Sequence, residues 1–264
     1  MKDIASKNPF VDLPPSPVNA VELFAGEWAS HFPTGFPEFK GGGSAGLFED
    51  PRIHWANDRL RALGSGFAEA EVLELGPLEG GHTYMFSQLG AREIVALEAN
   101  GRAFLKCLVT KEVLGIERAR FLLGNALPFL RENQRMFDVG VACAFLNHML
   151  QPVEVIELLA RSCRAVVLWN VVFSPALFEK QPALKPTFGP PQRSIWKGFE
   201  HTLHPHTYTA GFGYRTFWGG MASSCCWMES TDIVAALKHF GYTHVTWSED
   251  DCVFGKAFSA VAVR

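Results

Sequence analysis

One stretch constrains the fold more than any other: Val72-Leu73-Glu74-Leu75-Gly76-Pro77-Leu78-Glu79-Gly80-Gly81-His82. Val72 to Leu75 is a short apolar run broken by one carboxylate, which reads as the end of a buried strand. The glycines then let the backbone turn tightly and approach a ligand with no Cβ in the way. His82 to Leu89 reads as a helix. A strand, a glycine turn and a helix N-terminus together form a site for a small polar ligand.

The spacing inside the turn narrows the ligand. A dinucleotide fingerprint, G-x-G-x-x-G, sets its second glycine beside a pyrophosphate. Leu78 stands at that place here, and Glu74 at the strand end suits a cationic ammonium better than a phosphate. The next strand, Glu93 to Glu98, also ends in a carboxylate, and Glu98 follows Gly76 by 22 residues. An acid about 20 residues on is placed to accept hydrogen bonds from two ribose hydroxyls. The plainer alternatives are an ordinary glycine turn and a solvated strand terminus.

The acid-x-glycine-x-x-x-glycine pattern resembles motif I of the class I S-adenosylmethionine-dependent methyltransferases. The resemblance spans about Glu71 to Asn170, with several motifs in order. It implies that Glu74, Gly76, Pro77, Gly80 and Gly81 wrap the methionine part of S-adenosyl-L-methionine. It also implies that Glu98 and Ala99 meet the ribose, that Asn125 and Ala126 after a third strand meet the adenine, and that Ala142 lies at the end of a fourth. Asn125 fits in chemistry, through an amide oxygen, but asparagine is also a common turn residue. The segment Phe145-Leu146-Asn147-His148-Met149 after the fourth strand resembles, less specifically, the branch of wobble-uridine tRNA methyltransferases. The fold implied is α/β and Rossmann-like: a seven-stranded, mostly parallel sheet with an antiparallel last strand and helices on both faces.

The rest of the chain divides around that core. Residues 1–65 read as an N-terminal extension with two cap helices, one opened by Ser16-Pro17 and one over Asp50 to Leu63. Val18, Val21, Leu23, Phe24 and Trp28 are their expected apolar face, and Trp28, His54 and Trp55 are possible cleft residues. Residues 66–170 form the cofactor-binding core. Residues 171–226 form a long irregular insertion rich in proline, histidine and aromatics, expected to be a lid or substrate pocket or else an accessory unit with its own core. Residues 227–264 supply a last helix, capped by Ser230 or Thr231, and closing strands Thr243 to Ser248 and Val253 to Val263. Glu249-Asp250-Asp251 is expected to be the turn between them.

Composition excludes some classes. With 48% apolar and 19% charged residues, the 264-residue chain is globular. A net charge of −3 weakens any case for broad nucleic-acid binding. No apolar run is long enough to span a bilayer, and the start lacks a signal core. Six cysteines without CxxC spacing fit a reduced, cytoplasmic protein. The oligomeric state is not legible. His201, His204 and His206 invite a metal reading, but no nearby acid or cysteine completes a tetrahedral set, so no metal is expected.

The expected activity is S-adenosylmethionine-dependent methyl transfer to a small-molecule metabolite, at oxygen, nitrogen or carbon. A hydroxyl or protonated amine acceptor needs a base. His148, which follows the fourth strand, is the first candidate, although a packed or capping histidine fits as well. His201 and Tyr214 are further pocket candidates. A tRNA-base methyltransferase is the alternative within the class. A nicotinamide dehydrogenase and a non-catalytic nucleoside-binding module are the alternatives outside it.

Overall fold

The computed structural model describes residues 10–209, 219–253 and 255–264. Its strands are β1 (Glu71–Leu75), β2 (Glu93–Glu98), β3 (Ala119–Leu123), β4 (Phe137–Cys143), β5 (Cys163–Val172), β6 (Gln192–Trp196), β7 (Phe199–Thr207), β8 (Ser224–Trp227), β9 (His244–Cys252) and β10 (Gly255–Val263). Its helices are α1 (Pro17–Glu22), α2 (Pro51–Ala62), α3 (Gly81–Gln88), α4 (Gly101–Val113), α5 (Ala126–Glu132), α6 (Pro152–Ser162), α7 (Leu177–Lys180) and α8 (Ser230–His239). Seven strands make the central sheet in the order β3-β2-β1-β4-β5-β10-β9. Strands β1 to β5 pair in parallel, and β10 enters antiparallel between β5 and β9. The expected sheet, with its reversed last strand, is the one observed.

Strand parity builds two cores. Leu73, Leu75, Val95 and Leu97 face one side, where they meet Leu130 of α5, Ile156 and Leu159 of α6, and Leu237 of α8. Val72, Ile94 and Ala96 face the other, against Leu60 of α2, Phe86 of α3 and Cys107 of α4. Each fully buried Leu, Ile or Phe contributes about 1.5–3 kcal/mol, so the sandwich is held from both faces. The connection changes direction between β1 and β4, which opens a crevice at the C-terminal ends of the strands.

Three expectations change. The insertion is not irregular throughout: β6, β7 and β8 form a three-stranded antiparallel sheet. Phe199 and Leu203 of β7 pack into the main core, whereas Cys225 and Trp227 of β8 join Val171 and Leu177 in a small core of their own. The three acids Glu249, Asp250 and Asp251 lie within β9 rather than in a turn, each paired across to β10. Lys180 and Lys256 bridge Asp251, so the charges are tolerated on an edge strand facing water. Glu229, not Ser230 or Thr231, is the N-cap of α8, and it makes no side-chain cap bond. The Ser230 hydroxyl instead donates to Glu249.

The N-terminal segment forms the expected two helices, with Ser16 capping α1 and Asp50 capping α2. Helix α1 stops after six residues, and Leu23 is left exposed rather than on the apolar face. Trp28 is a core residue, buried edge-on against Phe24 and Phe32 with its indole N–H donated to the Val21 carbonyl. His54 is exposed and Trp55 half-buried. All six cysteines are free thiols. No helix among the described residues is long and apolar enough to cross a membrane.

Candidate active site

The C-terminal edge of the sheet brings the glycine turn beside the ends of β2, β3, β4 and β5. Backbone bonds tie these ends together. Gly76 N–H donates to the Leu97 carbonyl, Gly124 N–H to the Glu98 carbonyl and Ala144 N–H to the Trp169 carbonyl. Gly76 and Gly80 hold φ of 70° and 82°, and Leu78 is forced to 58°. A left-handed leucine costs energy that glycine would not, so the loop's path is kept by its partners.

Those partners engage the backbone donors from Gly76 to Gly80. The N–H groups of Glu79 and Gly80 both donate to the Pro77 carbonyl. Leu78 N–H donates to Glu98 Oε2 at 3.1 Å, and Asn100 N–H donates to Glu98 Oε1 at 2.8 Å. Glu98 is therefore a buried carboxylate fixed at the end of β2, with lone pairs left on both oxygens. Burial pushes its carboxyl above the usual range, opposed by the N–H groups of Asn100, Leu78 and Ala99 and by Lys106. Glu74 lies two residue levels deeper, 2% exposed, where it accepts the Thr83 hydroxyl. Burial raises it to about 8; the Thr83 bond works against this, and the Glu98 charge adds to it. Two buried carboxyls, both pushed toward the protonated form and one of them under the influence of Lys106, line this floor.

The N-terminal segment clasps this loop at two points. Glu79, fully buried, accepts Ala29 N–H at 2.7 Å and lies 3.4 Å from the buried Lys106 ammonium. Lys106 also donates to the Glu27 carbonyl. At the other point, His82 Nε2 donates to Asp50 Oδ2 at 2.8 Å, and Arg52 grips the same carboxylate. Burial opposes charge on Asp50, but His82 and Arg52 outweigh it and hold the carboxyl well below the ordinary range. Leu47 presses on the start of α3 so closely that a Cβ on Gly81 would meet its Cβ at 2.6 Å. Sequence reasoning missed this clasp, because its contacts join residues 27 to 79 positions apart. The Asp50–Pro51 helix start was its one local signal.

Across the turn stands Phe145, whose ring carbon lies 3.2 Å from where a Gly76 Cβ would be. The guanidinium of Arg52 covers Trp169 at 4.1 Å. His148 ends the 3-10 turn Leu146–His148. Its Nδ1 lies 2.8 Å from the Tyr208 hydroxyl, and its Nε2 lies 3.3 Å from Asn147 Nδ2. Burial, with a contribution from His206, lowers His148 to about 4, so it is a neutral imidazole near pH 7.

The other expected positions lie as follows. Pro77 and Gly80 are buried in the loop, Ala99 is exposed beyond β2, Ala126 opens α5 and Ala142 is buried inside β4. Asn125 is exposed, and its side-chain oxygen caps α5 by accepting Leu127 N–H at 3.0 Å. His201 is not beside His148. It is buried on β7, stacked on Phe199, with Nδ1 3.2 Å from the Phe199 carbonyl. Tyr214 lies outside the described residues. Strand parity also separates His201 from His204 and His206, which sit on the opposite face of β7. His204 stacks on Phe173 at 3.5 Å. Its Nε2 is 3.4 Å from Glu229, within ion-pair range but without hydrogen-bond geometry.

No family model and no curated protein matches the sequence. Solved structures do match. The N-terminal domain of EvdMO1, crystallised in the presence of SAH and D-fucose, superposes with a TM-score of 0.66 at 18% identity, over 94% of both chains. The full EvdMO1 chain aligns over 94% of this chain and 46% of its own. Magnesium protoporphyrin IX methyltransferase (ChlM) from Synechocystis PCC 6803, with bound SAH, superposes with a TM-score of 0.55 at 15% identity, over 81% of this chain and 82% of that one. Strand order, reversed last strand and glycine turn coincide with these likenesses: the chain has the Rossmann-like fold of the class I S-adenosylmethionine-dependent methyltransferases.

Proposed function

We propose that this chain is an S-adenosylmethionine-dependent methyltransferase acting on a small-molecule acceptor. The observation that carries the reading is the fate of the loop donors. A pyrophosphate site needs free backbone N–H groups in the glycine turn. Here the N–H of Gly76, Leu78, Glu79 and Gly80 are all engaged, and that of Leu78 is spent on a carboxylate. The buried acids Glu74 and Glu98 offer oxygen acceptors that suit a ligand carrying an ammonium, a sulfonium and a sugar diol better than a phosphate. In this reading Gly76 and Pro77 border the methionyl chain, Glu98 takes the ribose and Asn125 takes the adenine. Glu74, uncharged near neutral pH while burial holds it near 8, ionises when a positively charged ligand sits above it. SAH in the crystals of two structural neighbours supports the same ligand class.

Methyl transfer from a sulfonium is an in-line displacement, so the protein mainly aligns the partners and excludes water. The acceptor's proton goes to a base, and His148, neutral and following β4, is the group we assign to it. A small acceptor is supported by the half-buried aromatic side chains Phe145, Trp169 and Tyr208, and by the net charge of −3. It is also in keeping with the D-fucose and the magnesium protoporphyrin IX named for two neighbours.

Calorimetry with SAH and with NAD tests the cofactor, and SAH alone is expected to bind. Binding of NAD but not SAH would overturn the reading. A labelled methyl donor offered with hydroxylated and amine-bearing small molecules, and separately with bulk tRNA, tests the acceptor. Label appearing only in tRNA would replace the small-molecule assignment.

A further inference from the structure

The first turn of α2 sets a cation at the mouth of the cleft. Asp50 caps α2, and Arg52 follows two residues on. Arg52 Nε lies 2.8 Å and 2.9 Å from the two Asp50 oxygens, and its Nη2 lies 2.5 Å from Oδ2. His82, at the start of α3, braces the same carboxylate from the other side. One face of the guanidinium lies over the Trp169 ring, 4.1 Å from its centroid. Trp169 of β5 is the register partner of Cys143, the last residue of β4. The buried Cys143 thiol in turn feels the charges of Arg52, Asp50 and Glu74. Arg52 therefore stands over the crevice between β1 and β4.

Donor bookkeeping leaves this cation unfinished. A guanidinium carries five N–H groups in a fixed planar fork. Asp50 takes the Nε hydrogen and one on Nη2. Among the described residues, none accepts from Nη1 or from the second Nη2 hydrogen. The hydrogens at the Nη1–Nη2 tip run parallel and match the two oxygens of a carboxylate. The side chain is 32% exposed, so the tip is reachable. Asp50 fixes one edge and Trp169 fixes the plane, so little rotamer freedom is left to lose when an anion arrives. Neighbouring cations are already engaged: Lys106 by the Glu27 carbonyl and Glu79, Arg102 by the Glu27 carboxylate. A single fork beside the Asp50 charge suits a planar group with one negative charge better than a phosphate dianion.

We propose that Arg52 is the receptor for a ligand carboxylate at the mouth of the cleft, held in place by Asp50, His82 and Trp169. This rests on the methyltransferase reading, which offers two sources of such a group. One is the acceptor, on whose side of the cleft Trp169 and Phe145 stand. The other is the amino-acid end of the adenosyl ligand, whose ammonium has Glu74 beneath it and whose carboxylate has otherwise been given no cation. Either way Arg52 sets specificity, because an amide in the same place presents an N–H group to a donor and leaves half the fork unpaired.

Calorimetry on the full chain tests the proposal and separates the sources. SAH and 5′-methylthioadenosine share the nucleoside and the thioether, but only SAH carries the amino-acid end. Benzoate and benzamide, added to SAH-saturated protein, probe the acceptor side. If the adenosyl ligand supplies the carboxylate, Arg52→Met weakens SAH about 10- to 100-fold and leaves methylthioadenosine unchanged. If the acceptor supplies it, SAH and methylthioadenosine keep their relative affinities, and the variant loses a preference for benzoate over benzamide that the parent shows. The proposal is overturned if the variant keeps the parent's ratio of SAH to methylthioadenosine affinity and removes no preference for benzoate. Equal weakening of both nucleosides, with no benzoate preference, marks Arg52 as part of the clasp alone. Arg52→Lys keeps a cation against Asp50 without the fork, and decides by the same comparison should Arg52→Met fail to fold. Failure of the parent itself to bind either nucleoside overturns the cofactor reading, and the Arg52 assignment falls with it.

Discussion

On the β1 to β3 side of the cleft, the rim is made of short turns whose donors and acceptors are close in sequence. Glu98 takes the N–H of Asn100 two residues on and of Leu78 twenty residues back. On the β4 to β5 side, the rim is assembled from distant parts. His148 meets Tyr208 from 60 residues away, and Arg52 crosses the molecule to cover Trp169. The first side uses backbone groups and the carboxylates that end β1 and β2, all within one strand-helix-strand stretch. The second uses aromatic rings and imidazoles held by an added three-stranded sheet. The difference teaches how one chain divides its work: the local half can keep a constant ligand, and the assembled half can vary with the acceptor.

The largest effect expected from separating the halves is on turnover. His148→Gln should reduce the methyl-transfer rate by about 10²- to 10⁴-fold, the usual span for a general base, while leaving SAH affinity unchanged. Single-turnover assays with an acceptor found by screening measure the first, and calorimetry the second. Unchanged turnover removes His148 from the mechanism and the assembled half from the chemistry.

The next effect is on stability and concerns the clasp beneath the local half. Lys106→Met leaves the buried Glu79 carboxylate without its cation, at a cost of about 3–5 kcal/mol in urea unfolding. A cost near zero would mean that Ala29 N–H alone holds Glu79. Smaller again is Gly81→Ala, where the new Cβ meets Leu47 at 2.6 Å. Overpacking of this kind costs about 1–3 kcal/mol. If the variant is as stable as the parent, Leu47 yields easily and the clasp is loose.

The local half also carries a pH dependence. Glu74 has a folded value near 8, against 4.5 when unfolded. A carboxyl raised on folding favours the folded state below the unfolded value and loses that advantage as pH rises through the folded one. Relative to Glu74→Gln, the unliganded parent should therefore lose thermal stability between pH 4.5 and 8 and level off above. A difference that is flat across this window would show that Glu74 is already ionised at low pH.

The same contrast explains what the sequence made legible. Strand β2 and the turn after β1 were readable because the apolar runs, glycines and acids that build them are contiguous. The N-terminal clasp was not readable, since nothing near Glu79 announces Ala29 or Lys106 as its partners. The proline- and histidine-rich composition of the insertion suggested irregular chain, yet pairing of Ser194 with His201 and of His206 with Cys225 makes a sheet. The alternation of Phe199, His201 and Leu203 with Glu200 and Thr202 was the available signal. It sends Phe199, His201 and Leu203 to one face and His204 and His206 to the other. The acids of β9 misled because turn propensity lost to six further ladder pairs with β10 and to two lysine bridges.

The central claim is that Glu98 receives the sugar of an adenosyl ligand in the local half. Calorimetric titration of SAH into the parent and into Glu98→Gln tests it most directly. A hydrogen bond to a charged group contributes about 1.5–3 kcal/mol, so the variant should bind SAH about 10- to 100-fold more weakly while unfolding at a similar temperature. Equal affinity in the two proteins would contradict the account and move the nucleoside away from the end of β2.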